Sequence, residues 1–100
     1  MLVADEDEFY RSALLHPEVR EDFRRFILTV AEDEVVKISR GVAVSDEMTT
    51  KRLLDAAMKP FDRAFDLYVK RFPRGGGSYQ FSTYYRWWAR QYATKALLDE

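Results

Sequence analysis

Between residues 53 and 72, apolar side chains recur every three or four positions: Leu53, Leu54, Ala57, Met58, Phe61, Ala64, Phe65, Tyr68, Val69 and Phe72. A helix turns once in about 3.6 residues, so this spacing gathers one apolar face and commits the segment to helix packed on a core. The pattern runs on through Pro60, which predicts one kinked helix or two abutting ones that share a face. A second run keeps a drifting helical period from Val19 through Phe23, Phe26, Ile27, Val30, Ala31, Val35 and Ile38 to Val42. Pro17 suits the first turn of that helix, and Gly41 suits its end. Asp5 is placed to cap a short acidic helix reaching Leu15, with Phe9, Ala13 and Leu14 inward. Thr49 or Thr50 opens the helix that follows residue 41. No strand-like alternation and no internal repeat stands out. The expected fold is all-α, a compact three- or four-helix domain spanning residues 1–100.

One hundred residues allow a single modest core. Several classes of function fall away. There are no cysteines, which excludes disulfides and thiolate metal sites, and no cofactor is expected. The one histidine, His16, precedes Pro17 and reads as part of a helix start. No catalytic set of Ser, His and Asp or of Cys and His is present, and no acid sits in an apolar context that would tune it for proton transfer, so no enzymatic activity is expected. Pro73, Arg74, Gly75, Gly76 and Gly77 read as a breaker and linker. They are no phosphate-binding loop, because the Lys-Ser/Thr pair that grips phosphate is missing. No apolar run reaches membrane-spanning length and no secretory signal opens the chain, which predicts a cytoplasmic protein with no membrane partner.

The segment most suggestive of function is residues 79–98, YQFSTYYRWWARQYATKALL. Seven of its first fourteen residues are aromatic, its charges Arg86, Arg90 and Lys95 are all positive, and no acid occurs between Asp66 and Asp99. Cations track phosphates and flat rings stack on exposed bases, so interleaving the two suits single-stranded nucleic acid. The same rings also suit a core, their commoner fate. Helical geometry separates the two uses. With Ser82 or Thr83 as the cap, Tyr85, Trp88, Ala89, Tyr92 and Ala96 share an inward face, while Trp87, Arg90, Gln91, Thr94 and Leu98 form a different stripe. A Trp beside Arg, Gln and Thr reads as a surface carrying a stacking ring, a cation and two groups able to bond base edges. A membrane-surface helix is a poorer reading, since alanines and tyrosines on the apolar face suit helix packing better than lipid.

The string Y-x-F-S-T-Y-x-x-W-W-x-R-Q-x-x-T-x-A-L over residues 79–97 resembles region 2 of the primary bacterial RNA polymerase sigma factors, at the helix that melts and reads the −10 promoter element. The match is ungapped and covers about a fifth of the chain; residues 53–72 resemble the preceding family helix only weakly. The resemblance implies a single-stranded −10-type DNA partner and an RNA polymerase core partner in transcription initiation. It implies that Tyr84 sits under a flipped-out adenine, with Phe81, Thr83 and Trp88 around that pocket. Trp87 would stack at the upstream edge of the melted bubble, Gln91 and Thr94 would face the last paired base, and Tyr79 matches a family aromatic near the same strand. The family has a cation between Tyr79 and Phe81 where this chain has Gln80, and Arg86 stands where the family has a small polar residue. Contacts to phosphate are therefore expected to be redistributed, with Arg86 and Arg90 among the DNA-binding candidates.

Departures from the family bear on the partner. Its acidic polymerase-binding motif, of the form D-L-I-Q-E-G, aligns with residues 56–61, which read AAMKPF. The acids are gone, which predicts weak docking there. Asp55, Asp62 and Asp66 lie nearby, and Asp62 and Asp66, four apart, are candidates for a displaced acidic patch. Lys59 and Arg63 offset it on a neighbouring stripe. The chain ends without a domain for the −35 element, as expected of either a fragment or a free-standing sigma-like domain. Charge divides along it: residues 1–50 hold six Lys/Arg and twelve Asp/Glu, residues 51–100 ten and five. The acidic half screens the basic half, docks a basic partner, or is simply solvated. The alternative function is a sigma-like interaction module that binds a polymerase subunit or a regulatory protein without melting DNA.

Overall fold

The structure, a computed structural model, describes residues 6–41, 47–73 and 79–98. The expected cap Asp5, the end of the second apolar run at Val42, and the linker residues Arg74, Gly75, Gly76 and Gly77 lie outside the described residues. Five helices follow in order: α1 (Glu6–Leu15), α2 (Pro17–Gly41), α3 (Glu47–Met58), α4 (Phe61–Arg71) and α5 (Phe81–Leu98). The all-helical expectation holds, and no strand occurs among the described residues.

Proline sets two of the boundaries. Pro17 is the first residue of α2, where its missing N–H has no intrahelical partner to lose. The His16 carbonyl before it accepts from Val19 and Arg20 N–H, both at 3.0 Å, and His16 lies exposed at this junction. At Pro60 the chain divides into two abutting helices. Lys59 N–H closes α3 on the carbonyls of Asp55 (3.1 Å) and Ala56 (3.3 Å), Pro60 has no N–H to continue, and its carbonyl accepts from Ala64 at 2.8 Å to begin α4. This division raises the helix number to five; α3 and α4 counted as one interrupted rod give four. The third helix opens at Glu47, so Thr49 and Thr50 fall inside its first turn instead of at its cap.

The amphipathic faces meet in one core of Phe23, Ile27, Leu53, Phe61, Phe65, Tyr68, Phe81 and Tyr85 with smaller residues around them. Helix α5 packs mainly on α2 and α3, and α1 lies on α2. Every Phe, Tyr and Trp ring of the chain joins one contiguous network. Three buried tyrosines tie the elements together through their hydroxyls. Tyr10 donates to the Phe72 carbonyl (3.0 Å), Tyr68 to Tyr79 (2.7 Å) and Tyr85 to Ala57 (2.6 Å). Burial pushes Tyr10 up to about 12 and raises Tyr68 and Tyr85 further, because the phenolate would lose its water.

Candidate nucleic-acid interface

Both ends of α5 are held by charges from other helices. At its start, the buried Glu6 carboxylate of α1 accepts from Ser82 N–H (2.8 Å) and from the Ser82 hydroxyl (2.6 Å). The expected cap therefore changes hands. The helix begins at Phe81, Ser82 falls in the first turn as a donor, and an acid 76 residues earlier supplies the oxygen. An anion at a helix N-terminus satisfies a free amide and opposes the positive end of the dipole. Near the other end, the Arg52 guanidinium donates to the Ala96 carbonyl at 3.2 Å.

Within α5 the inward row is Phe81, Tyr85, Ala89 and Ala93. It lies one row over from the expected face: Trp88, Tyr92 and Ala96 are half-buried at its margin. Ala89 and Ala93 end at Cβ and so let α5 approach its neighbours closely, while the larger rings fit only at the edge. Trp88 meets Tyr84 (6.2 Å, 69°) and Trp87 (5.6 Å, 88°) edge to face. Its Nε1 is buried without a hydrogen-bond partner among the described residues.

The stripe expected at the surface is there. Trp87 is 60% exposed, Arg90 and Gln91 are exposed, and Thr94 is half-buried. Tyr79, Thr83, Tyr84 and Trp87 line a mainly apolar hollow of about 350 Å³. A second hollow of about 220 Å³ is lined by Leu67, Tyr68, Arg71, Phe72, Tyr79 and Tyr84. Tyr79 and Tyr84 belong to both, with rings 6.0 Å apart and 16° from parallel. Phe81 lines neither. It is buried among Tyr10, Phe23, Phe61, Phe65 and Tyr68, 6.1 Å from Tyr84. Its packing on the core places it beside Tyr84 but inside the protein, where it could support the pocket that the resemblance implies and not line it.

The expected cations are already engaged. Arg86 donates to Asp33 (2.7 Å) and to Glu34 (3.3 Å), Arg90 donates to Glu34 (2.9 Å), and Lys37 reaches both acids (3.3 and 3.2 Å). Hydrogen bonds from Arg86, then from Lys37, hold the Asp33 carboxyl below the usual carboxylate range. Glu34 is only 1% exposed and Glu6 is buried too, each with its carboxylate on polar partners: Lys37, Arg86 and Arg90 for Glu34, and Ser82 for Glu6. A signal for Glu34 exists in the sequence: Phe23, Ile27, Val30 and Ala31 set an inward register whose next position is 34.

The candidate partner-binding acids are partly met as well. Asp55 and Asp62 line a hollow with Arg24, Met58, Lys59 and Phe61. Asp62 and Asp66 share a face, and Arg20 of α2 lies across both, 3.2 Å from Asp62 and 3.8 Å from Asp66. Arg20 also stacks on the Phe65 ring at 4.4 Å, so it is fixed in place. Among the described residues, no cluster of His, Asp and Glu could hold a metal ion, and no helix is long and apolar enough to cross a membrane. No protein-family model, no curated protein and no solved structure matches the chain.

Proposed function

We propose that this domain binds single-stranded DNA by seating an unstacked base against Tyr79, Thr83, Tyr84 and Trp87, as a sigma region 2-like reader of a −10-type promoter element that works with RNA polymerase core. One observation carries the reading. The ring network that fills the core reaches the surface at this hollow, and among the described residues Trp87 is its only exposed ring. A large ring left in water forgoes burial worth about 1.5–3 kcal/mol. A stacked base gives it a partner at roughly 1–3 kcal/mol per base. Thr83, Gln91 and Thr94 supply groups for base edges within one or two turns of Trp87. The test is a titration with −10-like and scrambled single strands at two salt concentrations. A preference for the −10-like strand supports the reading; equal binding of both removes the sigma-like function.

A second reading has its own observation. Arg86 and Arg90, the cations expected to meet phosphate, are ion-paired within the protein. A sigma-like interaction module, bound to a polymerase subunit or regulatory protein, would need no phosphate contacts. It predicts capture of polymerase core without single-strand binding, reduced by Asp62→Lys and Asp66→Lys. Strong capture that both reversals leave untouched would redirect the contact to the acidic N-terminal half.

A further inference from the structure

We infer that Asp33 is an internal competitor for phosphate. It holds Arg86 in reserve, and a single-stranded backbone gains that guanidinium only by displacing it. The inference rests on the single-strand reading above.

To a guanidinium, a carboxylate and a phosphate offer the same thing, paired anionic oxygens in reach of its fork of donors. The two acids that meet Arg86 stand in different settings. Glu34 is almost fully buried and is already taken by Arg90 at 2.9 Å and Lys37 at 3.2 Å, so it is an anchor. Asp33 is half exposed, its partner Arg86 is 39% exposed, and theirs is the shorter contact, 2.7 Å against 3.3 Å to Glu34. An ion pair open to water on both sides exchanges easily with another anion. Lys37, Arg86 and Arg90 outnumber the two carboxylates, so the closed cluster still attracts negative charge.

Position makes the exchange useful. Arg86 follows Thr83 by three residues, which places it one turn along α5 from a residue lining the hollow. A strand with a base seated there keeps its own phosphates near Arg86, and displacement of Asp33 becomes intramolecular. A strand that seats no base competes for Arg86 from bulk solution. The contact thus lowers affinity for stray nucleic acid more than for a strand whose base fits. The Glu6 carboxylate on Ser82 is a second case of an N-terminal-half acid filling an anion-accepting position of α5.

The experiment compares the parent, Asp33→Asn, Asp33→Ser and the double variant Asp33→Asn/Arg86→Gln. Each is titrated with an adenine-containing single strand and with an abasic phosphodiester of equal length, at two salt concentrations, after thermal unfolding shows that the fold is kept. Both single variants should bind both strands more tightly at low salt, the abasic strand by the larger factor. On the abasic strand the log–log salt slope should steepen by about 0.7, one freed charge on a single strand. The double variant should lose that gain. Parent-like binding by both single variants, or a gain that persists without Arg86, overturns the inference. A parent that holds the abasic strand as tightly as the other removes the base reading, yet the effect of position 33 is still read on the abasic strand. A protein that binds neither strand, whatever stands at position 33, overturns both.

Discussion

Trp87 and Trp88 are adjacent in sequence and point to different tasks. Trp87 is mostly in water and Trp88 is half-buried against the core. Trp87→Ala should weaken single-strand binding by roughly 1–3 kcal/mol while the thermal unfolding midpoint barely moves. Trp88→Ala should destabilise by about 2–3 kcal/mol, below the 3–5 of a fully buried ring. Calorimetry beside a binding titration separates the two, and the reverse pattern would exchange their assignments. Glu34 calls for similar discrimination. Removing one partner of a buried ion pair costs about 3–5 kcal/mol when the other charge is left buried. Here Lys37, Arg86 and Arg90 all reach water, so Glu34→Gln should cost only about 1–2 kcal/mol in chemical denaturation. The exposure of Trp87 was legible in the sequence, because helical period sets position 87 away from Tyr85 and Ala89. The engagement of Arg86 and Arg90 was not. Their acids lie more than fifty residues earlier in the chain, and nothing local to α5 announces them.

Helix α5 carries most of the candidate site, and other helices hold its two ends. Glu6→Ala removes the oxygens that hold Ser82, and should destabilise by about 1–2 kcal/mol, as for loss of a cap with its charge. Glu6→Gln, which keeps an acceptor, should cost less. Equal melting of Glu6→Ala and parent would show that α5 needs no help from α1. The helices themselves were legible, because apolar periodicity, Pro17, Pro60 and Gly41 mark most of their extents. The source of the α5 cap was not, since an N-cap oxygen is ordinarily local and sequence reasoning looks to Ser82 or Thr83. Tyr10 was missed for a related reason. Its hydroxyl makes it look like a surface residue until the Phe72 carbonyl appears opposite it.

At the scale of the whole molecule, acids of the first half fold against the second: Glu6 on Ser82, Asp33 and Glu34 on Arg86 and Arg90. The ring network is equally global, which is why composition could not divide core from site. One network fills the core and reaches the surface at the hollow. The network also has a pH signature. Tyr10, Tyr68 and Tyr85 keep their protons in the folded state beyond the value near 10 at which an unfolded tyrosine ionises. Their contribution is therefore complete below about pH 10 and falls as pH rises through the folded value, about 12 for Tyr10 and higher for the other two. In an alkaline titration their ultraviolet ionisation signal should rise together with loss of helical circular dichroism. Ionisation of these three ahead of unfolding would contradict the packing described.

The central claim is that the hollow at Tyr79, Thr83, Tyr84 and Trp87 takes a particular base. The measurement that tests it most directly titrates the parent and Tyr84→Ala with two single strands that differ only in the adenine at the flipped position. The account predicts that replacing this adenine costs the parent about 1–3 kcal/mol and costs Tyr84→Ala almost nothing. A parent that binds the two strands alike would contradict it.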